Sequence, residues 1–289
     1  MRARFIIALA FMAAAIVAAH AEHPEISKRH ATERKAFTDA QIADGFFKTA
    51  LGAEFRVSGK SDRIRKYDGP VRVFIDSRAK PDRRDQIAAV IADIGSRVQH
   101  LDIARTQQRE DANVLVTLVR DLDLTRTIAK RYGRERSRQI QGSLGPQCLS
   151  SFRKDENFRI TQSSVILAVD VGDFVFLDCA YEELLQALGP INDTRSVPWT
   201  MFNDKVHMGY FDIYDQYLLN ILYDPRIRPG MTVGEVTALL PQVLPDVRAW
   251  VAKANGPGRA SPRPSLLLEQ FREIFQCAAA LPVARKPRL

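Results

Sequence analysis

The chain has 289 residues, a formal net charge of +8, and is 46% hydrophobic and 26% charged. The length suits one large domain or a domain with an appendage, long enough to bury a real core. Scattered Arg and Lys of this density read as a solvated surface or a lean toward anionic lipid or wall polymer. Nucleic acid is not expected as a partner, because the densest basic run, Arg131 to Gln139, carries one aromatic where a stacking surface would need several.

From the N-terminus, Arg2 and Arg4 precede an apolar run from Phe5 to Ala18 and the small-x-small pattern Ala19-His20-Ala21. Residues 1–21 therefore read as a signal peptide cleaved near Ala21, and the mature protein is expected to be periplasmic or secreted. The apolar run is shorter than the roughly 20 residues that span a bilayer, and no later stretch is both long and free of charge, so no transmembrane anchor is expected. Residues 22–36 are polar and aperiodic, as a mobile leader would be. A domain is expected over 37–254, opening with a capping box of Thr38 and Gln41 ahead of Ile42, Phe46, Phe47 and Ala50.

Val71 to Asp76 alternates as a half-buried strand, and the next helix, from about Asp82 to His100, sets Ile87, Val90, Ile91, Ile94 and Val98 on one stripe. Ala112 to Arg120 is a β-branched strand run, followed by a basic helical segment with Arg126, Lys130 and Arg131. Ser163 to Val171 is a third strand, and a central helix is expected from about Cys179 to Gly189. A further helix, Ile213 to Tyr223, is broken by Asp224-Pro225, and Thr232 with Glu235 makes a second capping box. Residues 255–265 mix Gly, Pro and charge as a linker, and 266–289 carry a last apolar helix and a basic tail.

Of the three cysteines, Cys148 and Cys179 flank one strand region just before the central helix, and an oxidising compartment permits their disulfide. Cys277 is the odd one.

The central helix carries the motif YEELLQALGPINDT, Tyr181 to Thr194. Its spacing is that of H-E-x-x-H-x-x-G-x-x-H, in which two histidines share a helix face, a glutamate polarises a metal-bound water, and a glycine turns the chain toward a third ligand. Here Glu182, Gln186 and Asn192 stand where the histidines would be, while the base position, Glu183, and the turn, Gly189, are kept. One carboxylate and two amides are a poor zinc set, so zinc is not expected at the standard site; oxygen donors, with Asp193 as an extra one, suit an oxygen-preferring divalent cation better. His207, downstream, reads as an exposed loop histidine. The competing reading is a core helix with Leu184, Leu185 and Leu188 inward.

From Phe46 to about Met231 the chain resembles a proteobacterial family of exported proteins catalogued only as a domain of unknown function, through CAYEELLQALG, PINDT, MFND (Met201 to Asp204) and LYDPRIRPGM (Leu222 to Met231). That family is itself similar to zincin metallopeptidases in pattern while lacking the histidines. The resemblance implies that Glu182, Gln186 and Asn192 fall on ligand sites, Glu183 on the general base and Met231 on the methionine turn, with Tyr223 as a weak candidate for an oxyanion donor.

The fold expected is α+β and zincin-like: a mixed, mostly parallel sheet with an antiparallel edge strand, backing helices, the Glu182 helix beneath that edge, and a helical C-terminal part. Three functions fit it. The first is a non-catalytic or strongly divergent metallopeptidase relative binding peptide or a cell-envelope component; the second is an active hydrolase with an oxygen-ligated metal and Glu183 as base; the third is a structural envelope protein with a vestigial cleft.

Overall fold

The computed structural model describes residues 22–51, 63–77, 79–135, 137, 138, 140 and 147–256; the expected signal segment 1–21, residues 257–265 of the expected linker, and the expected C-terminal helix and basic tail with Cys277 lie outside the described residues. The strands are β1 Val71–Ser77, β2 Ile103–Arg105, β3 Val114–Val119, β4 Cys148–Lys154 and β5 Ile160–Ala168. The helices are α1 Pro24–Thr32, α2 Asp39–Ala50, α3 Arg84–Arg97, α4 Asp121–Tyr132, α5 Asp173–Gln186, α6 Ile213–Tyr223 and α7 Val233–Ala254. The fold is α+β, with one five-stranded mixed sheet in the order β2-β1-β3-β5-β4. Four strands are parallel, and β4 runs antiparallel to β5 at the edge.

Alternation sets the sheet's buried face. Val71, Val73 and Ile75 on β1 and Val114, Val116 and Leu118 on β3 are buried, with half-exposed residues between them. On β5, Val165 to Ala168 are all buried, because helices cover both faces there. Val165 and Leu167 join the main core with α3 and α5, whereas Ile166 faces the other way and meets Leu124 and Ile128 of α4. Every residue of α6 from Tyr214 to Tyr223 is buried, so this helix is the centre of the C-terminal half. Its polar side chains are each bonded: Asp215 accepts from Thr200 Oγ1 and Met201 N, and Asn220 Nδ2 donates to the carbonyls of Arg97 and Gln216. Both expected capping boxes are formed, at Thr38 with Gln41 and at Thr232 with Glu235.

Three expectations need correction. Residues 22–36 hold α1: Pro24 opens it, His23 Nδ1 accepts from Glu25 N, and Ile26 is buried where the helix meets the body. A single buried apolar residue leaves no period to read. The central helix begins six residues earlier than Cys179, at Asp173, because Gly172 at φ +90° turns the chain directly out of the β5 end. It ends at Gln186 through tight bonds from Leu188 N to Leu185 O and from Gly189 N to Gln186 O. The third strand correspondingly lies at Ile160–Ala168, ahead of the expected 163–171. The Cys148–Cys179 disulfide is present, with Cα atoms 5.9 Å apart and 31 residues of separation, and it ties β4 to α5. A loop of that length is worth about 3–4 kcal/mol on the chain-entropy account.

Candidate functional site

The motif residues gather where α5 passes beneath β4. On α5 the spacing i, i+4, i+8 aligns Asp178, Glu182 and Gln186, with Glu183 on the adjoining, more buried face. Gln186 is spent at both ends of its amide: Oε1 accepts from Ser150 Oγ on β4 at 3.0 Å, and Nε2 donates to Asp193 Oδ1 at 2.7 Å. Asn192 faces away from this cluster, donating its Nδ2 to Lys48 O at 2.6 Å and its backbone N–H to Thr49 O at 3.2 Å. It closes the C-terminal end of α2, where carbonyls need donors. The structure therefore brings Glu182, Glu183, Gln186 and Asp193 together and sends Asn192 to a structural task.

Acids dominate the cluster's field. Burial, and then the charges of Glu183, Asp193, Asp178 and Asp204, push the Glu182 carboxyl well above the usual carboxylate range. Glu183 is 7% exposed. At the rim, Asp178 accepts from Met208 N and Gly209 N through one oxygen and lies 2.8 Å from His207 Nδ1 through the other, so His207 is an exposed loop histidine held by an acid.

Tyr223 does not point at the cluster as an oxyanion donor. Its hydroxyl donates to Leu188 O at 2.9 Å, and burial raises its pKa. Met231 accepts Arg228 N on its sulfur, and its carbonyl accepts Ile64 N at 2.9 Å, which fixes the turn against the 63–67 segment. Gly189 has a steric reason to be glycine: φ is +144°, and a Cβ there would lie 2.4 Å from Arg65 O and 2.9 Å from Leu222 Cδ2.

A metal does not fit this donor set. Gln186 already uses both amide atoms, Asn192 is turned away, and among the described residues no three His, Cys, Asp or Glu side chains are arranged to hold an ion.

The family described as "Protein of unknown function (DUF2927)" matches residues 39–242. The chain belongs to this family. The DUF2927 span starts at the first residue of α2 and ends inside α7, so it holds the whole sheet, the acid cluster and the Met231 turn, and it leaves α1 outside. No curated protein and no solved structure matches the chain.

Three residues of this DUF2927 site escape a reading of the motif alone. Ser150 sits on an edge strand too polar to read as one, and Asp178 and Asp204 become neighbours of Glu182 only through the fold. The single sequence signal was Asp178 four residues ahead of Glu182, a pair that shares a helix face.

Proposed function

We propose that this is an exported, zincin-like protein that has given up metal catalysis and binds an extended peptide segment of an envelope partner along β4, over the acid cluster of α5. The observation that carries the reading is the Gln186 amide, bonded at both ends, at a position where catalysis would require a free metal ligand. The fold-level likeness is supported by α3 and α5 packed on one face and by α5 lying under an antiparallel edge strand, to which the disulfide pins it. Among the described residues β4 pairs on one side, leaving a row of backbone groups for an added strand. The acids at 178, 182, 183, 193 and 204 suit a partner bearing Lys or Arg. Export is supported by the signal-peptide pattern and by a disulfide, which a reducing cytoplasm would not preserve.

Glu183, buried next to Glu182 at the position of the general base, carries the second reading, hydrolysis with Glu183 as base. Fluorescence anisotropy with labelled Lys/Arg-rich and Asp/Glu-rich hexapeptides tests both. Saturable binding of the basic peptides alone, weakened by salt and by Asp178→Asn and kept in Glu183→Gln, is the expected result. Cleavage that Glu183→Gln abolishes would replace the binding reading with the hydrolytic one, and neither binding nor cleavage would leave the cleft vestigial.

A further inference from the structure

A cavity lies away from the acid cluster and shares none of its residues. It is an open cleft of about 550 Å³ where the turn after α3, the C-terminal end of α6 and the last turns of α7 meet. One wall is the indole of Trp250, whose Nε1 donates to Arg97 O at 2.8 Å, so the ring is pinned in place as a platform. Asp246 and Lys253 lie on the same face of α7, four residues before the tryptophan and three after it. The lining also carries Arg226, whose guanidinium is gripped by Asp224 at 2.8 and 2.6 Å, reaches Asp246 at 2.7 Å and donates through Nη1 to Gln242 O at 3.0 Å. His100, exposed and at φ +66°, closes the rim.

We infer that this cleft binds a saccharide ring. The apolar C–H face of a pyranose stacks on a fixed indole, and its ring hydroxyls, which both donate and accept, match the exposed Asp246 carboxylate and the Lys253 ammonium that flank the indole on the same helix face. The lining is close to charge-neutral, with Arg226 and Lys253 facing Asp224 and Asp246. The Arg226 guanidinium is already held by Asp224 and Asp246, so the cleft offers a phosphate no unengaged arginine. That excludes a nucleotide as the better occupant of the same aromatic wall. The exposed Lys253 arm, 5.6 Å from the ring centroid, can swing aside while the ring stays.

Trp250 also makes the test direct, because the chain has two tryptophans and the other, Trp199, packs between Phe37 and Tyr214. In a Trp199→Phe background of the full mature chain, Trp250 emission is titrated with chitotriose, maltotriose and inorganic phosphate. One of the two oligosaccharides should give a saturable shift, and phosphate none. Asp246→Asn, an exposed change that leaves the indole in place, should weaken that binding about tenfold, the loss of one good hydrogen-bonded contact of roughly 1.4 kcal/mol. Saturation-transfer NMR on Trp250→Leu, with folding checked by circular dichroism, should show loss of the saccharide signal. No shift with either sugar, an equal shift with phosphate, or sugar binding that survives in folded Trp250→Leu would each overturn the assignment.

Discussion

Glu182 is a carboxyl that the fold makes harder to ionise. Its burial and its four acidic neighbours hold its folded pKa well above the unfolded value, so between the two the folded chain binds a proton that the unfolded chain has released. The sign follows: this group costs nothing at low pH, where both states are protonated, and stability declines as pH rises above about 4.3 toward the folded pKa. Glu182→Gln keeps the shape and removes the proton. It should therefore be more stable than the parent at pH 7 and equal to it near pH 4, as read from urea midpoints at the two values. A parent and variant that differ by the same amount at both pH values would show that Glu182 ionises normally in the folded chain. The motif spacing had singled out Glu182, Glu183, Gln186, Gly189 and Asn192, and four of these do converge on one stretch of α5 and its exit turn. Spacing could not reveal that Asn192 faces Lys48 rather than the cluster, because that depends on where α2 docks, a contact 144 residues away in sequence.

At the scale of elements, what was legible was whatever carries a period or a cap: α2, α3, α6 and α7 were placed by apolar stripes and by capping boxes that the structure forms with the same residues. What was not legible lacks a period. β4 reads CLSSFRK and is held by pairing with β5 and by the bridge to α5, and β2 is three residues long. The segment after the undescribed 52–62 likewise showed no pattern, yet it carries Lys66, which closes the C-terminal end of α6. The Lys66 ammonium donates to the carbonyls of Leu222 at 2.7 Å, Asp224 at 3.3 Å and Ile227 at 2.6 Å, and burial pulls its pKa down to about 8. Two effects oppose each other here. Three buried carbonyls lose their donor in Lys66→Met, at roughly 1–3 kcal/mol each if left unmade, while the cost of burying the charge disappears. The hydrogen bonds should win, making Lys66→Met less stable at pH 7 by about 2 kcal/mol. Because the folded pKa lies below the unfolded one, the parent alone gains stability as pH rises from about 8 toward 10, so the gap between the two proteins should widen over that window. A gap that stays constant from pH 7 to 10 would mean that the ammonium is not held in a low-dielectric site.

For the whole molecule, the question is whether α1 belongs to the fold or lies on it. The DUF2927 span begins at residue 39, and the sheet, α5 and α6 form a continuous core without α1. Yet α1 is attached at several points. Ile26 is buried, and the carbon a side chain would need at Gly209 lies 3.1 Å from Ile26, so the glycine there makes room for the helix. His30 stacks on Tyr210 at 3.6 Å between centroids, Arg29 lies over the Phe174 ring, and beyond the helix Glu33 Oε1 accepts from Ile213 N, the first helical N–H of α6. Burying one isoleucine contributes about 1.5–3 kcal/mol and a carboxylate at a helix N-terminus about 1 kcal/mol more, set against the entropy of ordering a nine-residue helix that would not persist alone. The balance is a net attachment of a few kcal/mol at most, small beside the core. Deleting residues 22–36 should therefore leave a cooperatively folding domain whose circular dichroism loses one short helix and whose unfolding midpoint falls by a few degrees. It should also speed hydrogen exchange at the start of α6, where Ile213 N loses its acceptor, while the β1, β3 and β5 amides stay protected. Loss of cooperative unfolding in the truncated chain would make α1 part of the core, and unchanged exchange at Ile213 would mean that the helix is not docked through Glu33 in solution.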